Sequence, residues 1–167
     1  QAAPAQTVIP SRIDKAATQL TAQHWPPALV VVMVDDGHAS IAGYGKLPDG
    51  HKPDARSVFE IGSVTKTFTA LMLARQVEAG KLALDTPVAK LLPGFTLPQR
   101  DGKAITLGQL AEQTSGLPRL PGNFKPRTMG NPYVDYGADK LKAFLAHYKL
   151  TRDPGAKYAY SNLGFGL

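Results

Sequence analysis

The run Phe59-Glu60-Ile61-Gly62-Ser63-Val64-Thr65-Lys66-Thr67-Phe68-Thr69-Ala70 reads as the end of a strand, a tight glycine turn and the start of a helix. Ser63 falls near the first turn of that helix. Lys66 follows three residues later, so the two side chains share one helical face. A hydroxyl beside an amine at a helix N-terminus has the makings of an activated nucleophile. The free N–H groups of the first turn can also donate to an oxyanion. By itself Ser-x-x-Lys is a short signal, since roughly half a match is expected by chance in a chain of this size. The plain alternative is an N-cap serine followed by a solvated lysine.

Working outward, the helix is predicted to run from Ser63 to about Ala79, with Gly80 as its C-cap. Phe68, Leu71, Met72 and Val77 are expected to face the core, which makes this a central helix. Upstream, residues 57–61 read as a strand that feeds Ser63. Residues 11–24 read as an amphipathic helix, with Ile9, Ile13, Ala16, Ala17 and Leu20 at helical spacing. Ser11 is its expected N-cap and Pro26-Pro27 its stop. Ala28-Leu29-Val30-Val31-Val32-Met33-Val34 reads as a strand buried on both faces. Asp35-Asp36-Gly37 is a turn signal, and residues 38–44 form the returning strand.

Downstream, Thr106-Leu107-Gly108-Gln109 matches a capping box before a short helix ending near Thr114-Ser115-Gly116-Leu117-Pro118. Residues 118–137, rich in Pro, Gly and Asn, form a long irregular segment. It is read either as a flexible surface excursion or as a substrate-contacting loop. Asp139 is then expected to cap a helix whose Leu141, Phe144, Leu145 and Tyr148 share a face.

The 167 residues suit one ordinary domain, and a 43% apolar fraction permits a real core. No apolar run approaches the length needed to cross a bilayer. There are no cysteines, so disulfide and thiolate chemistry are excluded. The four histidines, His24, His38, His51 and His147, show no metal-ligand spacing and are read as surface or partly buried residues. No metal or organic cofactor is implied. The net charge of +6 is uneven: 8 Lys/Arg stand against 7 Asp/Glu in residues 1–83, and 11 against 6 in residues 84–167. No aromatic-interleaved basic stripe accompanies it, which argues against nucleic-acid binding. The opening Gln1-Ala2-Ala3-Pro4-Ala5-Gln6 is small and polar, in the manner of mature exported proteins or of a cloning boundary.

A second motif, Pro154-Gly155-Ala156-Lys157-Tyr158-Ala159-Tyr160-Ser161-Asn162-Leu163-Gly164, changes the weight of the first. It resembles the Tyr-x-Asn region of class C β-lactamases and the related serine DD-peptidases. The Phe59–Ala70 run resembles their Ser-x-x-Lys region, and the order and separation agree. Ile105-Thr106-Leu107, Thr114-Ser115-Gly116-Leu117-Pro118 and Gly80-Lys81-Leu82 with Asp85 and Pro87-Val88 also look like that family. Pro118-Arg119 and the serine in Tyr160-Ser161-Asn162 look most like the AmpH-like branch of penicillin-binding peptidases. The fold implied is α/β (α+β): an antiparallel sheet flanked by helices, plus a mostly helical region. Residues 1–62 would carry the first helix and first strands, and residues 63–167 the helical region with both motifs.

The resemblance implies an exported, periplasmic serine acyl-hydrolase acting on D-alanyl peptides or β-lactams. Ser63 would be the nucleophile, and its own N–H an oxyanion donor. Lys66 and Tyr160 would act as a pair to accept its proton. A phenol with a pKa near 10 and a lysine near 10.4 are both protonated at neutral pH unless perturbed. Charged Lys66 would favour a tyrosinate, whereas neutral Lys66 would require desolvation, and the residues alone leave both routes open. Asn162 would hold Lys66 and bind the substrate's amide. Taken singly, Tyr160 reads equally as a core aromatic and Asn162 as a helix N-cap.

The family's third motif, Lys-Thr-Gly or His-x-Gly, is absent from the 167 residues. The expectation is therefore that the chain is the N-terminal part of a longer molecule. The C-terminal half would be a second chain of a nicked protein, a disordered or degraded portion, or sequence lost by truncation. Two other functions stay open: a penicillin-binding module without turnover, and an esterase of the same fold.

Overall fold

The computed structural model describes residues 9–167, so the opening six residues lie outside the described part. The chain forms two compact units, one ending at Glu60 and the other comprising Ile61–Leu167.

The first unit is a helix and a hairpin. Helix α1 spans Ser11–Ala22. Strands β1 (Ala28–Asp35) and β2 (His38–Gly45) pair antiparallel, with Ala28 opposite Gly45 and Asp35 opposite His38. The expected turn is present: Asp36 and Gly37 both have positive φ, 44° and 76°. A two-residue loop with φ above zero at both positions matches the right-handed twist of the flanking strands. Tyr44 is buried and its hydroxyl donates to Asp14 of α1 at 3.0 Å. Gly43 permits a close crossing, because a Cβ there would sit 1.7 Å from the Pro53 carbonyl oxygen.

Four expectations fail between residues 9 and 61. Ser11 is not the cap: Pro10 holds that position, and its carbonyl accepts the N–H groups of Ile13 and Asp14. Only Ala17 and Thr21 of α1 are buried, and Leu20 is exposed. Strand β1 is not buried on both faces, since Val32 and Val34 are exposed. A two-stranded ribbon has two faces, and α1 packs on part of one. Nor do residues 57–61 form a strand. The Asp54 N–H donates to Ser57 Oγ and the Ser57 N–H to the Asp54 carbonyl, which makes a turn where the strand should begin. Among the described residues no neighbour offers that segment a ladder, and Val58 is 94% exposed.

The second unit is mostly helical. A 3-10 turn, Gly62–Val64, leads into α2, Thr65–Glu78. Gly80, at φ 67°, ends α2 as expected. Its N–H donates to the Val77 carbonyl and that of Lys81 to the Gln76 carbonyl, which satisfies the last turn. A small hairpin follows, β3 (Gln99–Arg100) and β4 (Lys103–Ala104), then α3 (Leu107–Ala111), α4 (Ala138–His147) and α5 (Asn162–Phe165). The capping box at Thr106 and Gln109 forms reciprocally. Gly137 rather than Asp139 is the N-cap of α4, so Asp139 lies in the first turn, where a carboxylate complements the helix dipole.

The core of this unit is Val88, Leu97, Ile105, Leu110, Leu117, Leu145, Leu150 and Leu163. Leu145 is fully buried, and truncating such a leucine typically costs about 2–5 kcal/mol. Leu141, Phe144 and Tyr148 flank it on the expected face of α4. Helix α2 contributes no buried residue. Phe68, Leu71 and Met72, expected inside, are 58%, 57% and 69% exposed. Periodicity marks a helix's apolar side but not what covers it, and the core here is built from residues later in the chain.

Candidate active site

Ser63 sits in the 3-10 turn before α2, and Gly62 enters that turn at φ 52°. Lys66, half-buried in the first turn of α2, follows on the same side. Its Nζ donates to Ser63 Oγ at 3.3 Å and to Asn162 Oδ1 at 2.7 Å. Ser63 Oγ and the Tyr160 hydroxyl are 2.6 Å apart. All four sequence-predicted residues therefore meet at one place. Short O–H···O separations of this kind are typical of bonds with charge on one partner.

Tyr160 comes from an extended strip whose position is fixed from beneath. Gln113 brackets it: the Ala159 N–H donates to the Gln113 carbonyl at 2.8 Å, and the Ser161 N–H to Gln113 Oε1 at 2.6 Å. Buried Ser161 caps α5, accepting the Gly164 N–H at 2.8 Å and donating to the Pro118 carbonyl at 2.7 Å. The N–H groups of Asn162 and Leu163 both reach the Arg119 carbonyl. Leu117 and Leu163, both buried, anchor this strip to the core.

The electrostatics centre on Tyr160. Lys66 Nζ lies 5.0 Å from the ring centre and the Arg119 guanidinium carbon 5.1 Å. The phenol is held below its ordinary range by Lys66 first, then by its hydrogen bond to Ser63, with Arg119 adding its charge and burial opposing. Lys66 also lies 5.7 Å from the Phe165 ring centre.

Residues 118–137 form neither helix nor strand, yet they are tied together. Phe124 packs on Tyr133 and Tyr136 with ring centres 5.2 and 5.5 Å apart. Arg127 makes a two-pronged ion pair with Asp135 at 2.7 and 2.6 Å. Phe124, Tyr133 and Tyr136, with Leu120 and Leu163, line an apolar hollow that includes Asn162. Sequence reasoning missed the structural part of Gln113 and the placement of the Arg119 side chain. No spacing rule points to either, because their partners lie more than 40 residues away. Among the described residues no group of three or more metal-ligating side chains is present.

The comparisons with known proteins agree in direction. The family model described as Beta-lactamase matches residues 13–167. The D-alanyl-D-alanine-carboxypeptidase/endopeptidase AmpH of Escherichia coli K12 is 32% identical over 159 residues, covering 93% of this chain and 40% of that protein. Penicillin-binding protein 4 of Amycolatopsis lactamdurans is 39% identical over 99 residues, 58% of this chain and 26% of that protein. The crystal structure of a beta-lactamase/D-alanine carboxypeptidase from Yersinia pestis, complexed with citrate, superposes with a TM-score of 0.70 at 27% identity, over 90% of this chain and 46% of that one. The chain thus spans less than half the length of these relatives and shares their fold. With a family model matched from residue 13 to the last residue, and a solved relative superposing over nine-tenths of its length, the chain belongs to the beta-lactamase family.

Proposed function

We propose that the protein is a serine acyl-hydrolase that forms an acyl-enzyme on Ser63 with D-alanyl peptides or β-lactams. The observation that carries this reading is the convergence of Ser63 Oγ on the Tyr160 hydroxyl at 2.6 Å and Lys66 Nζ at 3.3 Å. A serine needs a proton acceptor within hydrogen-bond reach before it can attack a carbonyl. Here the acceptor is Tyr160, whose phenol is already depressed by Lys66 and Ser63. Ser63 Oγ attacks the carbonyl carbon and its proton passes to the Tyr160 oxygen, which accepts it as the phenolate. The carbonyl π pair moves onto oxygen, towards the backbone N–H of Ser63, and returns as the C–N bond breaks and Tyr160 gives the proton to the leaving amine. Asn162 holds Lys66 by its carbonyl oxygen and turns its amide N–H groups to the substrate.

The names of the relatives support the substrate class, one being a D-alanyl-D-alanine-carboxypeptidase/endopeptidase and another a penicillin-binding protein. On the same reading the protein works in the periplasm on peptidoglycan peptides. Among the described residues, no helix is long and apolar enough to cross a membrane. A fluorescent penicillin followed over time tests the proposal. Covalent label on Ser63, absent in Ser63→Ala, is the expected result. Rapid release identifies β-lactamase turnover, and persistent label a peptidase or a binder. Absence of any label, with no release of D-alanine from a D-alanyl-D-alanine peptide, defeats the reading.

A further inference from the structure

Arg119 divides its work between main chain and side chain. Its carbonyl accepts the N–H groups of Asn162 at 3.0 Å and Leu163 at 3.3 Å, which holds the local fold. Its side chain is exposed and makes no ion pair with a carboxylate among the described residues. The guanidinium instead lies over Tyr160, with its central carbon 5.1 Å from the ring centre. A cation over an aromatic face is attracted by the ring's quadrupole, and a planar guanidinium also stacks on it. That attraction grows when the ring carries phenolate charge. The groups facing Tyr160 from the elements packed around it are Lys66 of α2, the neutral hydroxyl of Ser63 in the 3-10 turn, and Arg119 in the loop after α3.

We propose that Arg119 is a second cationic positioning residue for Tyr160, holding the ring with its hydroxyl on Ser63 and favouring the phenolate that receives the serine proton. This rests on the reading of Tyr160 as proton acceptor. In that step the Ser63 O–H bond breaks as the bond from Oγ to the carbonyl carbon forms. The proton ends on the Tyr160 oxygen and the negative charge on the former carbonyl oxygen, so Arg119 takes no part in bond exchange. Arg119's charge acts on the phenol in the same direction as Lys66, though more weakly. Two cations on one ring also divide the labour. Lys66 is tied to Asn162 and Ser63, and its position is constrained by both. The Arg119 guanidinium bonds to neither side chain, so it can bias the ring's ionisation independently of the serine.

The test reads Tyr160 directly. The protein is labelled with tyrosine carrying 13C at Cζ, the Tyr160 signal is assigned by its loss in Tyr160→Phe, and the signal is titrated in the unaltered protein, Arg119→Met and Arg119→Lys. The midpoint should move upward in Arg119→Met and return most of the way in Arg119→Lys. Acylation by fluorescent penicillin at pH 7 should fall about two- to five-fold in Arg119→Met, with the acid limb of its pH profile moving upward too. The urea midpoint should stay put, because the main-chain bonds of residue 119 survive. An unmoved Tyr160 titration in Arg119→Met overturns the proposal whatever the rate does. A loss confined to KM for carboxylate-bearing substrates, with the titration unmoved, also overturns it and makes Arg119 a ligand contact. If the titration shifts as expected but Ser63 takes no label in the unaltered protein, the acyl-hydrolase reading fails and the coupling of Arg119 to Tyr160 stands.

Discussion

The side-chain oxygen of Gln113 accepts the backbone N–H of Ser161 at 2.6 Å, across 48 residues of chain and out of contact with solvent. Gln113 stands at the position just past α3 where glycine is usual, with φ 62°. Its own N–H donates to the Leu110 carbonyl, and that of Thr114 to the Gln109 carbonyl, which completes the helix ending. A side chain with a left-handed backbone costs about 1–2 kcal/mol relative to glycine. Glycine, however, could not reach Ser161.

Gln113→Ala should therefore lose about 1–3 kcal/mol of stability, because it leaves the buried Ser161 N–H without a partner. Gln113→Gly should lose about 1 kcal/mol less than Gln113→Ala, since it relieves the backbone. Both should slow acylation, as Tyr160 sits between the two clamped residues. Urea unfolding and penicillin labelling of the same samples provide the check. An alanine variant as stable as the unaltered protein would show that the clamp contributes nothing.

Ser161→Ala should cost about 1–2 kcal/mol. The hydroxyl caps α5 and also satisfies the Pro118 carbonyl, and it is 1% exposed. Ser161→Thr keeps both bonds but adds a methyl group to a packed site, so it should fall between. Thermal unfolding of the three proteins ranks them.

Tyr160→Phe removes the partner 2.6 Å from Ser63 Oγ while leaving the ring. Acylation should drop by about 10²–10⁴-fold, the range for loss of a positioned acid or base. Asn162→Ala should cost less, because Lys66 keeps its contact with Ser63 when the amide is gone. Stopped-flow labelling with a fluorescent penicillin measures both, and equal losses would place the base on Lys66 instead.

Asp153 gathers Lys103 and Arg100, tying the β3–β4 hairpin to the segment that leads to Tyr160. Lys103 first, then the Arg100 charge, hold its carboxyl below the ordinary 3.8. A carboxyl lowered by folding contributes stability that is present above its unfolded pKa and is lost as pH falls through the folded value. Unfolding free energy should thus be flat from about pH 5 upward on this account and fall below about pH 4. Asp153→Asn should be less stable at pH 7, with the difference vanishing in acid. A difference that persists undiminished at pH 2 would mean that the asparagine disturbs packing rather than charge.

What the chain settles by itself is local. The Asp36-Gly37 turn, the Thr106–Gln109 capping box and the Gly80 helix stop each depend on bonds between residues a few positions apart, so composition and spacing suffice. Asp101-Gly102 carries the same turn signal, at φ 49° and 75°, and the β3–β4 hairpin it closes was legible on that ground though not anticipated. The pairing of Ser63 with Lys66 is likewise a matter of helical pitch. Tertiary structure decided the rest. The apolar side of α2 could be read, but not that Phe68 and Met72 would stay exposed, because burial depends on what the rest of the fold brings to that side. The valines of β1 could mark a strand, but not how many of its faces would be covered. Tyr160 reaches Ser63 across 97 positions only because Gln113, Pro118 and Arg119 hold its strip, and hydrogen bonds between such distant residues leave no periodicity in a single sequence.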